Sequence, residues 1–112
     1  MRILLVAYSD SEATAEKIEG LAKAALTRRH EVTVFLNGVS VRLVESGRRT
    51  RGFSDLVADG VHLLVCRTSV ATSGIESPDQ LVRGAEMSSL SELVDLIEES
   101  GRVLFLGQGA GN

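Results

Sequence analysis

Val61-His62-Leu63-Leu64-Val65-Cys66 runs directly into Arg67-Thr68-Ser69-Val70-Ala71-Thr72-Ser73-Gly74. An apolar run broken only by His62 and followed by a polar stretch reads as a strand covered on both faces, the pattern of a parallel sheet. Cys66, the only cysteine of the chain, then stands at the carboxyl end of that strand. In open α/β sheets this is the rim where ligands bind. A thiol there can act as a nucleophile or sulfur carrier when its thiolate is favoured. It can equally be a small hydrophobe, because free cysteine is among the most buried residue types.

Working outward, Ile3–Ala7 and Val32–Leu36 repeat the same continuous apolar pattern, and Val103–Leu106 closes the chain with another. Between them the period changes from strand to helix. Ile18, Leu21, Ala22, Ala25 and Leu26 share one helical face, as do Leu90, Leu93, Val94 and Ile97. Ser9-x-x-Glu12 and Ser89-x-x-Glu92 have capping-box spacing ahead of these two helices. Gly60 suits the left-handed position that ends a short helix over Phe53–Asp59. The intervening stretch 45–53, with Arg48, Arg49 and Arg51 between glycines, reads as an exposed loop. Val39–Leu43 fits either a short helical start or irregular backbone. Strands are therefore expected near 2–7, 31–36, 61–66, 85–87 and 102–106. Strand and helix alternate, which predicts a three-layer α/β/α sandwich, flavodoxin-like in outline, on a mostly parallel five-stranded sheet with right-handed crossovers.

The 112 residues suffice for one domain, 1–112, with Gly107–Asn112 as a flexible glycine-rich tail. Hydrophobic residues make up 44% of the chain but aromatics only 4%, so the core must be aliphatic. Twelve Lys and Arg against fifteen Asp and Glu leave a net charge of −3. That balance argues against a general nucleic-acid binder, which needs a basic face and stacking aromatics. No apolar stretch is long enough to span a bilayer. A single cysteine forms no internal disulfide and suits a reducing cytoplasm. His30 and His62 lack metal-ligand spacing with each other or with Cys66, so no metal is inferred. Strand alternation places His62 on a helix-covered face, as a core histidine. Gly107-x-Gly109-x-Gly111 is no dinucleotide fingerprint, because no helix follows it.

The order of these segments resembles the DsrE/DsrF-like family, which includes sulfur-relay proteins of the TusD type. The resemblance is carried by Arg2-Ile3-Leu4-Leu5-Val6, by His30-Glu31-Val32-Thr33-Val34-Phe35-Leu36-Asn37-Gly38-Val39, by Gly60–Cys66 with Gly74-Ile75, and by Ser89-Leu90-Ser91-Glu92-Leu93. It covers nearly the whole chain. Active members keep a persulfide-carrying cysteine after the third strand, several residues ahead of a glycine, and Cys66 falls at that position. Some relatives have a second cysteine where this chain has Ser69, and a basic pair where it has Thr72-Ser73. The resemblance implies a homo-oligomer, trimer or hexamer, and exchange with sulfur donor and acceptor proteins.

Three readings follow. In the first, Cys66 is a solvent-reachable sulfur carrier, its thiolate favoured by Arg67 and by the backbone of the turn that begins at Ser69. In the second, the chain is a non-catalytic, homo-oligomeric binding or scaffold protein with an inert, buried Cys66. In the third, Tyr8-Ser9-Asp10-Ser11 is a phosphate loop of a flavin or nucleotide protein. That loop has no glycine and the chain no tryptophan, so no cofactor is expected. Ser9 and Ser11 could still hold an anion on the helix they open, or simply cap it. Arg42, Arg48, Arg49 and Arg51 could meet an acidic partner, or form a solvated loop.

Overall fold

The computed structural model describes residues 1–48 and 50–107. Arg49 and the tail 108–112, with the flexibility expected of it, lie outside the described residues. Five strands, β1 (Arg2–Ala7), β2 (Glu31–Leu36), β3 (His62–Cys66), β4 (Ala85–Ser88) and β5 (Arg102–Leu106), form one sheet in the order β4-β3-β2-β1-β5. Every neighbouring pair is parallel. The helices are α1 (Glu12–Thr27), α2 (Thr50–Ala58), α3 (Arg67–Thr72) and α4 (Leu90–Glu99), with 3-10 turns at Gly38–Val44 and Pro78–Gln80.

The strand order decides which side each helix covers. From β1 to β4 the chain steps one strand at a time in one direction, so right-handed crossovers put every connection on the same face. There Ile18 and Ala22 of α1, Phe53 and Leu56 of α2, Val41 and Leu43 of the first 3-10 turn and Val70 of α3 pack on Leu5, Val32, Val34, Leu63 and Val65. The last crossover reverses, running from β4 back past β1 to β5, so α4 alone falls on the other face. Leu93 and Leu96 of α4 meet Leu4, Val6, Phe35, Leu64, Cys66 and Val103.

Local signals explain most boundaries. Ser11 caps α1 by accepting the Thr14 N–H at 3.1 Å, and Ser89 caps α4 by accepting the Glu92 N–H at 3.1 Å. The first cap falls two residues later than Ser9-x-x-Glu12 suggested, because Ser9 Oγ instead accepts the Ser11 N–H within the preceding turn. Gly60 ends α2 with φ 103°, a conformation open to glycine. Two expectations are corrected. Helix α2 begins at Thr50, not Phe53, so part of the expected loop is helical. His62 is exposed, because its face of the sheet has only α4 over it and an open cleft separates His62 from Leu96 and Glu99 of that helix.

Candidate functional site

Cys66 ends β3 and immediately precedes α3, at the carboxyl rim of the sheet, as its place in the sequence indicated. Its side chain belongs to the face roofed by α4, packed with Leu4, Val6, Phe35 and Leu93, and the residue is 2% exposed. The thiol gives no cap hydrogen bond to α3. Its register partner on β4 is Ser88, fully buried, whose hydroxyl donates to the Glu92 carboxylate at 3.0 Å. This bond ties the first turn of α4 to the end of β4, next to the thiol's strand. Arg67, the cation adjacent in sequence, faces solvent.

The other candidate residues serve the rim itself. Ser69 Oγ accepts the Gly38 N–H at 2.8 Å and donates to Asn37 Oδ1 at 3.0 Å, which ties α3 to the end of β2. Ser40, wholly buried, places its hydroxyl 2.8 Å from the Ala7 carbonyl and 2.6 Å from that of Asn37, so β1 and β2 end on a common clasp. Ser9 and Ser11 spend their oxygens on the β1–α1 turn and the helix cap. Arg48 donates to the Asp10 carbonyl at 2.7 Å and approaches its carboxylate at 3.4 Å. Arg42 donates to the Ser73 carbonyl at 2.7 Å and pairs with Glu45 at 3.1 Å. Both arginines are therefore staples between connections; Arg51 is exposed. Cys66 and Ser69 lie at opposite ends of one helical turn, yet the thiol points under α4 while the hydroxyl points at the β2 end.

Two open clefts flank this rim and its opposite. One of about 270 Å³ is lined by Gly38, Arg42, Thr68, Ser69 and Thr72. The other, about 320 Å³, lies at the amino ends of the strands among Arg2, Glu31, His62, Glu86 and Glu99. Sequence reading did not identify the second, because its residues are scattered over four strands and a helix. It also missed the topological switch point, which the strand order puts between β1 and β5. There the Tyr8 and Phe105 rings stack at 6.3 Å between centroids, with Tyr8 45% and Phe105 56% exposed. Among the described residues, no three His, Cys, Asp or Glu side chains come together as metal ligands, and no helix is long and apolar enough to cross a membrane.

A small parallel α/β sandwich with a lone thiol closed beneath its single-helix side defines the class of protein. The chain belongs to the DsrE/DsrF-like family, whose model matches residues 1–106. In fold it is similar to a protein of unknown function, MTH1491, from Methanobacterium thermoautotrophicum, with TM-score 0.82, 17% identity, and 96% of this chain and 98% of that one covered. It is also similar to the ychN protein from E. coli, with TM-score 0.75, 19% identity, and 95% and 100% covered. A third likeness is a conserved protein of unknown function, BT1422, from Bacteroides thetaiotaomicron, with TM-score 0.79, 15% identity, and 94% of each chain covered. No curated protein matches this chain.

Proposed function

We propose that this chain is a self-associating binding protein of the DsrE/DsrF-like family, cytoplasmic, with Cys66 serving the core. The observation that carries this reading is the closure of the thiol, 2% exposed among Leu4, Val6, Phe35 and Leu93. Thiol–disulfide exchange requires in-line access to the sulfur as well as its ionisation. At 2% exposure Cys66 offers no such access in the resting chain. Apolar side chains left uncovered on α4 and β5 support association, as does the resemblance to a family whose members form trimers or hexamers.

A second reading is a sulfur carrier opened by a donor protein, and the position of Cys66 at the carboxyl end of β3 favours it. Lifting α4 would bare the sulfur. The Cys66 thiolate would then attack the outer sulfur of the donor's persulfide. A sulfur–sulfur bond would form on Cys66 and the donor would leave as its thiolate. One experiment separates the readings: intact mass of native protein before and after a small-molecule persulfide donor, with Cys66→Ser as control. No added sulfur, and alkylation of the native chain far slower than of the unfolded chain, is the expected result. A reductant-reversible gain of one sulfur, absent in Cys66→Ser, would establish the carrier instead.

A further inference from the structure

The outer strand β5 reads Arg102-Val103-Leu104-Phe105-Leu106, four consecutive apolar residues at an open sheet edge. Its backbone orientation follows from one bond. Tyr8 donates its N–H to the Leu106 carbonyl at 3.2 Å, so Leu104 and Leu106 turn their peptide groups to β1, and Val103 and Phe105 turn theirs outward. By register with β1, the Val103 and Phe105 side chains share the face roofed by α4, and Leu104 lies on the other. Native proteins blunt such edges with charge, proline or a covering element, and among the described residues nothing of the kind lies along Val103–Leu106.

The helix beside it leaves its near flank bare. Glu92 reaches Ser88 of β4, and Leu96 and Glu99 line the cleft that contains His62 and Glu86, so that flank of α4 faces β3 and β4. Leu90, Val94 and Ile97, spaced i, i+4, i+7, form the flank toward β5 and are 54%, 55% and 37% exposed. With Tyr8 and Phe105, 45% and 56% exposed, they leave five large apolar side chains uncovered on this face of the sheet, and apolar patches beyond a few hundred Å² mark association surfaces.

We propose that this edge and flank form a twofold contact with a second copy of the chain, a proposal that rests on the self-association reading above and names its surface. The occupant follows from complementarity. An antiparallel pairing of β5 with its own copy, centred on Leu104, sets Val103 opposite the copy's Phe105 and Phe105 opposite the copy's Val103. Both are the residues whose N–H and C=O face outward, so each such pair exchanges two hydrogen bonds. The same axis sets Leu104 against its own copy on one face. On the other it brings the aromatic pair and the bare α4 flank against their equivalents. Two five-stranded sheets become one of ten.

The test is native mass and sedimentation of the full chain across a wide concentration range, beside Phe105→Glu, Val94→Glu and the distant-edge control Arg83→Glu. Circular dichroism of each variant verifies folding, and both patch positions are exposed enough to tolerate the change. The expected result is an even multiple of the 12.0 kDa chain for the parent and control. Both patch variants should show at least a tenfold weaker association. A parent with an odd number of copies, or patch variants that assemble like the parent, would overturn this surface while leaving self-association intact. A parent that stays monomeric would overturn both.

Discussion

The two faces of this sheet are built from the same strands and covered unequally. On one, α1, α2, α3 and the first 3-10 turn bury a continuous core whose residues run from Leu5 to Val82. On the other, α4 alone roofs Leu4, Val6, Phe35 and Cys66 and leaves apolar groups exposed on both α4 and β5. The difference comes from connectivity, since one reversal in strand order sends one helix to the far side. The first face carries the larger core, although Leu21 and Leu104 stay exposed there, and the single-helix face is where the molecule keeps its thiol and the uncovered flank of α4.

That contrast can be broken in several places. The largest effect belongs to two buried phenylalanines, one in the core of each face. Phe53→Ala and Phe35→Ala should each cost about 3–5 kcal/mol in chemical denaturation, because both residues are wholly buried. A loss below about 1.5 kcal/mol for Phe35→Ala alone would mean that α4 is a loose cover with no packed core beneath it. Next comes Cys66→Ser. A hydroxyl placed among aliphatic side chains should cost about 1–3 kcal/mol, and Cys66→Ala should cost less than Cys66→Ser. The reverse order would show that the sulfur's neighbours include a polar partner.

The two helix caps sharpen the comparison at smaller scale. Ser11→Ala and Ser89→Ala should each lower stability by about 1 kcal/mol. They should differ in thiol reactivity. Loosening α4 through Ser89→Ala is expected to speed native-state alkylation of Cys66 roughly fivefold, and Ser11→Ala to leave it unchanged under conditions where only local opening is sampled. Equal acceleration by both would mean that the thiol is reached only by global unfolding. The smallest effect is expected at Val94→Glu, within about 0.5 kcal/mol for the dissociated chain, because the side chain stands off the core. A larger destabilisation of the monomer would place Val94 in the core.

Sequence alone carried much of this architecture. Continuous apolar runs at Ile3–Ala7, Val32–Leu36 and Val61–Cys66 pointed to strands covered on both sides, and the parallel sheet followed; Val103–Leu106 has the same pattern and is a strand, but at the sheet edge its Leu104 and Phe105 stay 41% and 56% exposed. The start of α1 was displaced because Ser9 and Ser11 both sit within reach of a cap, and the turn hydrogen bond that commits Ser9 elsewhere is a feature of three-dimensional geometry. Strand order was not legible at all. No local pattern reports that β5 joins β1 on its far side, and the uneven cover, the exposure of His62 and the Tyr8–Phe105 stack all depend on it. For Cys66 the sequence located the rim and left exposure undecided. The answer depended on Leu93 and Leu96, some thirty residues away along the chain, coming to rest above it.

The reversal that brings α4 back over the sheet also sets the order in which the protein closes during synthesis. β1 to β4 and their connections are complete once Ser88 has left the ribosome, and they already hold the larger core. Until Leu90–Leu106 follows, β1 has one open edge and Cys66 has no roof. The thiol therefore has a window of accessibility in the newborn chain that the finished protein lacks. Alkylation of chains stalled before and after α4–β5 emerges would measure it. Whatever chemistry or protection Cys66 meets in the cell, it meets most readily before the seventeen residues from Leu90 to Leu106 are in place.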